Sequence, residues 1–187
     1  MTILEIFNVV ILIVLILLSS YFDSAKKVIP NFLVMPAIII GLFLSILMSG
    51  VEGIKFSVLG FMTGLGIFII PFVLGGMGGG DVKLMAAIGA LKGWRFVLST
   101  AVFSGLAGGV IVIILLIKQK KLFLTLKRVL AIILKPIMFI LTLTFENKKL
   151  KQFNNWLLDS QINWEKQYIP YGVAIGIGAM ITLFTMR

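Results

Sequence analysis

Two acidic residues stand where apolar segments meet polar turns, and paired carboxylates are among the few catalytic devices this chain can build. The first is Asp23, in Tyr21-Phe22-Asp23-Ser24-Ala25-Lys26-Lys27. The second is Asp81, directly after Gly75-Gly76-Met77-Gly78-Gly79-Gly80. The chain has seven acids in all and neither His nor Cys. That composition removes disulfides, thiolate zinc sites, cysteine nucleophiles and Ser-His catalysis together. Hydrolytic chemistry must use carboxylates, Lys, Ser or Thr, or an oxygen-bound metal. Two carboxylates held close share one proton, because like charges a few ångströms apart do not both ionise. The ionised member takes a proton from water while the other polarises a carbonyl. Such chemistry requires no metal and no other cofactor.

Each acid also has a plainer reading. Asp23, with Lys26 and Lys27 at helical spacing, fits a solvated helix end or an ion pair. Asp81 fits an N-cap for a helix starting at Val82, since caps favour Asp. The glycines weigh against a bare cap. Five glycines in the six positions 75–80 are costly in backbone entropy, and they allow close backbone approach beside the acid.

The elements that must position these acids are membrane helices. Hydrophobic residues make up 60% of the 187, charged residues only 13%, and the mean hydropathy is +1.14. A soluble domain carries about 25% charged residues, so this chain has too little polar surface to cover itself in water. Apolar runs at 3–22, 32–49, 54–75, 82–93, 96–117 and 168–185 approach the length of about 20 residues needed to cross a bilayer. The fourth is short and Gly-rich, nearer a half-span. The expected fold is therefore an all-α bundle of about six transmembrane helices. The first run lacks the basic start and small-residue cleavage signal of a leader, and reads as a retained helix.

The net charge of +10 sits in turns between apolar blocks. Lys26, Lys27, Lys83, Lys118, Lys120 and Lys121 fit loops held on the cytoplasmic side, which puts the N-terminus outside. An anionic lipid surface accounts for this charge without nucleic acid. The segment 118–167 differs from the rest. Within it, 129–145 is apolar, but Lys135 and Pro136 lie at its centre. A mid-bilayer Lys costs about 2.5–3.5 kcal/mol on insertion scales, and Pro interrupts a helix. An interfacial or re-entrant helix in a cytoplasmic insertion is expected there, within a single domain covering 1–187.

Gly78-Gly79-Gly80-Asp81 resembles the Gly-x-Gly-Asp signature of membrane aspartic peptidases. The longer string through Val82-Lys83-Leu84-Met85 to Ala90 is similar to the second motif of the type IV prepilin peptidase family. Asp23 followed by Lys27-Val28-Ile29-Pro30-Asn31 resembles the family's first motif. Ile169-Pro170-Tyr171-Gly172-Val173-Ala174 resembles its last, with Val173 where the family has a second Pro. The three occur in the family's order and cover most of 21–182, leaving 118–167 unmatched.

The resemblance implies a membrane aspartic endopeptidase that cleaves pilin-like or flagellin-like precursors at the cytoplasmic boundary of the cell membrane. Asp23 and Asp81 would be catalytic. Gly78, Gly80, Lys83, Pro30, Asn31, Pro170 and Gly172 would support them, with Lys83 also fitting a solvated anchor. Larger members carry an N-terminal domain with paired Cys motifs, and many also methylate the product. This chain resembles the short, peptidase-only form found with tight-adherence pili and related to archaeal preflagellin peptidases, so N-methyltransferase activity is not expected. A non-enzymatic membrane protein, either a small transporter or an inactive pilus-assembly subunit, is the alternative. Broken half-helices and membrane acids also mark ion sites.

Overall fold

The computed structural model describes residues 2–120, 123, 125 and 170–186. Two compact units divide the chain, Met1–Ile111 with Tyr168–Arg187 and Val112–Gln167. Everything below concerns the first, apart from the end of α3. The readings made for 129–145, Lys135 and Pro136, and for Ile169, lie outside the described residues, as does nearly all of the expected insertion at 118–167.

Four helices are present among the described residues: α1 (Ile3–Lys26), α2 (Asn31–Val73), α3 (Gly79–Lys118) and α4 (Tyr171–Thr185). Three of them, α1 to α3, are long and apolar enough to cross a membrane. The fold is all-α, and the chain is a multi-pass membrane protein. The expectation of about six transmembrane helices is corrected by this count. Hydropathy alone divided the chain at the polar residues around Gly50–Gly53 and Lys92–Arg95. Helix instead runs right up to and away from a single non-helical glycine in each place, with no polar loop between. The α4 helix, at 15 residues, is only about 22 Å long, short of a hydrocarbon core of about 30 Å.

The sequence specifies where these helices begin. Thr2 and Glu5 form a reciprocal cap on α1: the Glu5 backbone N–H donates to Thr2 Oγ1 at 3.3 Å, and the Thr2 N–H donates to Glu5 Oε2 at 2.9 Å. Lys27 closes α1 in a left-handed conformation, φ 56°. Pro30 precedes α2 in an extended conformation that proline readily adopts. Inside α2 and α3 the breaks fall at Gly50 (φ 56°, ψ −129°) and Gly93 (φ 76°, ψ 174°), backbone states that a side chain would strain. Both are sharp turns. Gly53 packs on the Ser45 backbone and Gly89 on Val97. Residues eight apart in a straight helix would be about 12 Å apart.

Close helix approach holds the first unit together. Gly60 and Gly89 face each other so tightly that a Cβ on either would run into the other's carbonyl. Gly64 does the same against Met85, and Gly41 lies against Ala90 and Leu91. Small residues at such contacts let backbones meet where lipid supplies no hydrophobic drive for helix association. The first half of α3 runs through this packing, and Leu84, Met85, Ala87 and Ile88 are all fully buried. Large apolar side chains such as Phe7, Leu17, Ile39, Phe43 and Leu106 face outward, where lipid replaces water.

Candidate active site

Four helix termini meet at one end of the first unit: the end of α1 and the starts of α2, α3 and α4. Asp23 lies in the last turn of α1 and is 3% exposed. Asp81 lies in the first turn of α3 and is 6% exposed. Both line one cavity of about 420 Å³, together with Lys27, Pro30, Asn31 and Lys83. The two carboxylates are near enough for the charge of one to act on the other. The chain therefore buries two of its seven acids side by side, a placement that ordinary solvation of helix ends does not require.

Each carboxylate is held by a backbone amide from a helix start. Gly172 N–H, in the first turn of α4, donates to Asp23 Oδ2 at 2.7 Å. The first amides of a helix have no partner within it, and they carry the positive end of its dipole. Pro170 occupies the N-cap of α4 and has no N–H to compete, so the Gly172 amide is turned onto Asp23. Space is as tight as the bond is short. A Cβ on Gly172 would lie 2.8 Å from Asp23 Oδ2.

At Asp81, the Gly78 N–H donates to Oδ2 at 3.1 Å, while Oδ1 is buried with no hydrogen-bond partner among the described residues. The helix starts at Gly79 rather than Val82. Asp81 is thus its third residue, and its carboxylate reaches back to the residue before the helix. This is half of a capping box, with the second oxygen left over. Gly80 packs on Ile29, its Cβ position 3.1 Å from the Ile29 side chain, which brings the turn after α1 against the glycine run.

The remaining sequence-derived residues converge here too. Lys83 Nζ donates to Asn31 Oδ1 at 3.0 Å, tying the start of α2 to the start of α3 at the exposed rim. Pro30 lines the cavity between them. The motif residues thus gather from three separate stretches of chain, and the Asp23–Gly172 and Asn31–Lys83 bonds join one stretch to another. The specific work of the Gly172 amide was not legible in the sequence, where its only trace is a glycine after Pro170 at a helix start. Among the described residues, no three acidic side chains converge as a metal cage. The cavity holds two carboxylates, Asp23 and Asp81.

A family model, the type IV leader peptidase family, matches residues 10–113, more than half of the chain and inclusive of both aspartates. Two curated proteins are similar to it. A prepilin leader peptidase/N-methyltransferase of Pseudomonas aeruginosa is 32% identical over 107 residues, 54% of this chain and 37% of that protein. One of the same description from Stutzerimonas stutzeri is 30% identical over 111 residues, 56% of this chain and 38% of that protein. The matched region therefore spans well under half the length of these relatives. No solved structure matches the chain.

Proposed function

We propose, for a chain that belongs to the type IV leader peptidase family, that it is a membrane aspartic endopeptidase acting on pilin-like precursors, with Asp23 and Asp81 as its catalytic pair. The observation that carries this reading is the burial of both acids in one cavity, each oriented by a backbone amide. Two carboxylates at one site share a proton and titrate as a unit. The pair activates a water against the scissile carbonyl and protonates the oxygen that becomes negative. The amide on Asp23 fixes that carboxylate in place, and Asp81 Oδ1 keeps acceptor capacity that no hydrogen bond among the described residues uses.

The position fits the substrate class. A precursor with a short basic leader before an apolar helix presents its junction where the bilayer ends. Asp23 lies at the end of α1, beside Lys26 and Lys27, residues of the kind retained on the cytoplasmic side. We place the site at that face of the cell membrane on this ground.

The test is incubation of the purified chain in detergent with the pilin-like precursors encoded beside its gene, read by the mass of the product. Cleavage at the leader–helix junction, lost in Asp23→Asn and in Asp81→Asn, is the expected result. Intact precursor with the parent chain would return the reading to a non-enzymatic membrane protein.

A further inference from the structure

Helix α4 is shorter than the hydrocarbon core, yet two of its faces are packed at a regular spacing. On one face Gly172 meets Asp23, and four residues on Gly176 meets Ser20 and Ile16, all of α1. On the other, Ala174 meets Gly108, Gly178 meets Ser104 and Thr182 meets Thr100, all of α3. Residues four apart share a face of a helix, and residues two apart, as Gly176 and Gly178 are, lie on opposite faces. Both ladders run down the partner as they run up α4, so α4 is antiparallel to α1 and to the second arm of α3. It is a wedge between the helix that carries Asp23 and the helix that carries Asp81.

The wedge has little slack. A Cβ on Gly178 would lie 2.6 Å from the Ser104 backbone nitrogen and 2.9 Å from its Cα, where ordinary contact is about 3.5–4.0 Å. Backbone atoms cannot rotate away as the end of a side chain can. One turn further on, Thr100 and Thr182 are fully buried. Thr100 Oγ1 donates to Thr182 Oγ1 at 3.3 Å, and Thr182 Oγ1 donates to the Gly178 carbonyl at 2.8 Å. Sliding α4 along α3 would break the first of these bonds, and buried hydroxyls hold their partners. On the α1 side a Cβ on Gly176 would lie 2.5 Å from Ser20 Oγ. Ser20 Oγ itself donates to the Gly172 carbonyl over a long 3.4 Å, so shape rather than that bond fixes this face.

Gly172 lies six residues before Gly178, about 9 Å along the axis. No break interrupts α4 between them, so a shift at Gly178 is carried to Gly172. We propose that Gly178 and Ser104 are positioning residues for the aspartate pair: their contact sets how α4 is seated, and thereby holds the Gly172 amide on Asp23. A displacement of about 1 Å would take that 2.7 Å bond past about 3.2 Å, the usual limit for N–H to oxygen. The role rests on the peptidase reading for its effect on rate, but not for its effect on the bond.

The experiment uses the full chain in detergent with two readouts. One is cleavage of a pilin-like precursor, with kcat and KM separated. The other is the proton shift of the Gly172 amide in glycine-labelled protein, identified by its displacement in Asp23→Asn, and it needs no activity. Gly178→Ala is expected to lower kcat by about 100-fold, the cost of about 1 Å of misplacement, with KM unchanged. It should also move the amide resonance toward its position in Asp23→Asn. Gly105→Ala is next to Ser104 but meets nothing within 4 Å among the described residues, and it should leave both readouts at the parent values. If Gly178→Ala fails to fold, Gly176→Ala takes its place. Its methyl meets Ser20 Oγ, and Ser20→Ala in the same chain removes that atom and leaves the Cβ of residue 20 at 3.9 Å. The double variant should recover most of the rate and the parent resonance. A parent-like Gly172 resonance in the glycine variant overturns the proposal whatever the rate, and so does a loss confined to KM. No cleavage by the parent chain defeats the peptidase reading alone, and the amide resonance then decides the positioning role.

Discussion

At the aspartate end of the first unit the polar groups come from helix termini, whereas at the Glu5 end a second cavity is framed largely by breaks inside helices. Asp23 and Asp81 are each held by a backbone amide, from Gly172 and Gly78. Backbone amides at helix starts are fixed by the helix itself, so they lose little freedom when they grip a carboxylate. Around Gly50 and Gly93 the groups are long side chains, Glu52, Lys55 and Lys92, carried on turns. Such side chains lose rotamer freedom when ordered, and a bound ligand can order them. One end is thus built for fixed geometry, the other for adaptable charge.

The comparison can be broken most sharply at the acids. Asp23→Asn and Asp81→Asn should each lower the rate of precursor cleavage by at least about 10²–10⁴-fold, the span of general acid–base contributions. Near-normal turnover by either variant would mean that the fixed end is not the working end. Next in size is Gly172→Val. Its Cβ would crowd Asp23 Oδ2 at 2.8 Å, and a misplacement of about 1 Å in a catalytic group costs about 100-fold. The loss should appear in kcat, measured against precursor concentration, and a change confined to KM would place Asp23 in binding alone.

The packing that links the two ends gives a stability test. Gly89→Ala sets a methyl against the Gly60 carbonyl, whereas Gly105→Ala meets nothing within 4 Å. Overpacking should cost the first about 1–3 kcal/mol in reversible denaturation, and the second should be neutral. Comparable losses in both would show that the Gly60–Gly89 contact is not what holds these helices. A smaller effect is expected from Lys83→Ala, which removes the exposed 3.0 Å bond to Asn31. Cleavage should fall by a few-fold, in line with about 1 kcal/mol for an ordinary hydrogen bond. A loss as large as that from the aspartate variants would make Lys83 part of the chemistry. The smallest effect belongs to Glu52→Gln. Its pair with Lys55 is 63% and 75% exposed on the two sides, and exposed pairs contribute about 0–1 kcal/mol. Thermal unfolding should shift by no more than a degree or two.

The aspartates and the glycine run were legible in the sequence because each breaks a local rule: an acid at the end of an apolar run is costly, and so are five glycines in six positions. The last motif, around Pro170 and Gly172, was legible only through its resemblance to a family motif. The apolar runs likewise showed membrane helices, since a chain with 13% charged residues has no other solvent. The number of helices was not legible. Hydropathy averages over residues and reports where polar groups lie, whereas a helix ends only where its hydrogen bonds end. Gly50 and Gly93 each turn the chain within one residue, with helix directly on both sides.

Convergence was also beyond the sequence. Nothing local in Gly172 says that its amide meets a carboxylate 149 residues earlier, or that Asn8 binds the carbonyl of Leu91. The sequence by itself determined the solvent of this protein, the residue types available for chemistry and the places where the chain must turn. These are one-body properties, set by the transfer cost of each side chain and the backbone freedom of each glycine. Only the tertiary structure decided that Asp23 and Asp81 share a cavity and that α4 donates an amide to one of them. It also decided that Glu5 and Lys92 line a cavity at the other end of the same unit. These are many-body outcomes of the Gly60–Gly89 packing, and they depend on distances that no stretch of sequence contains.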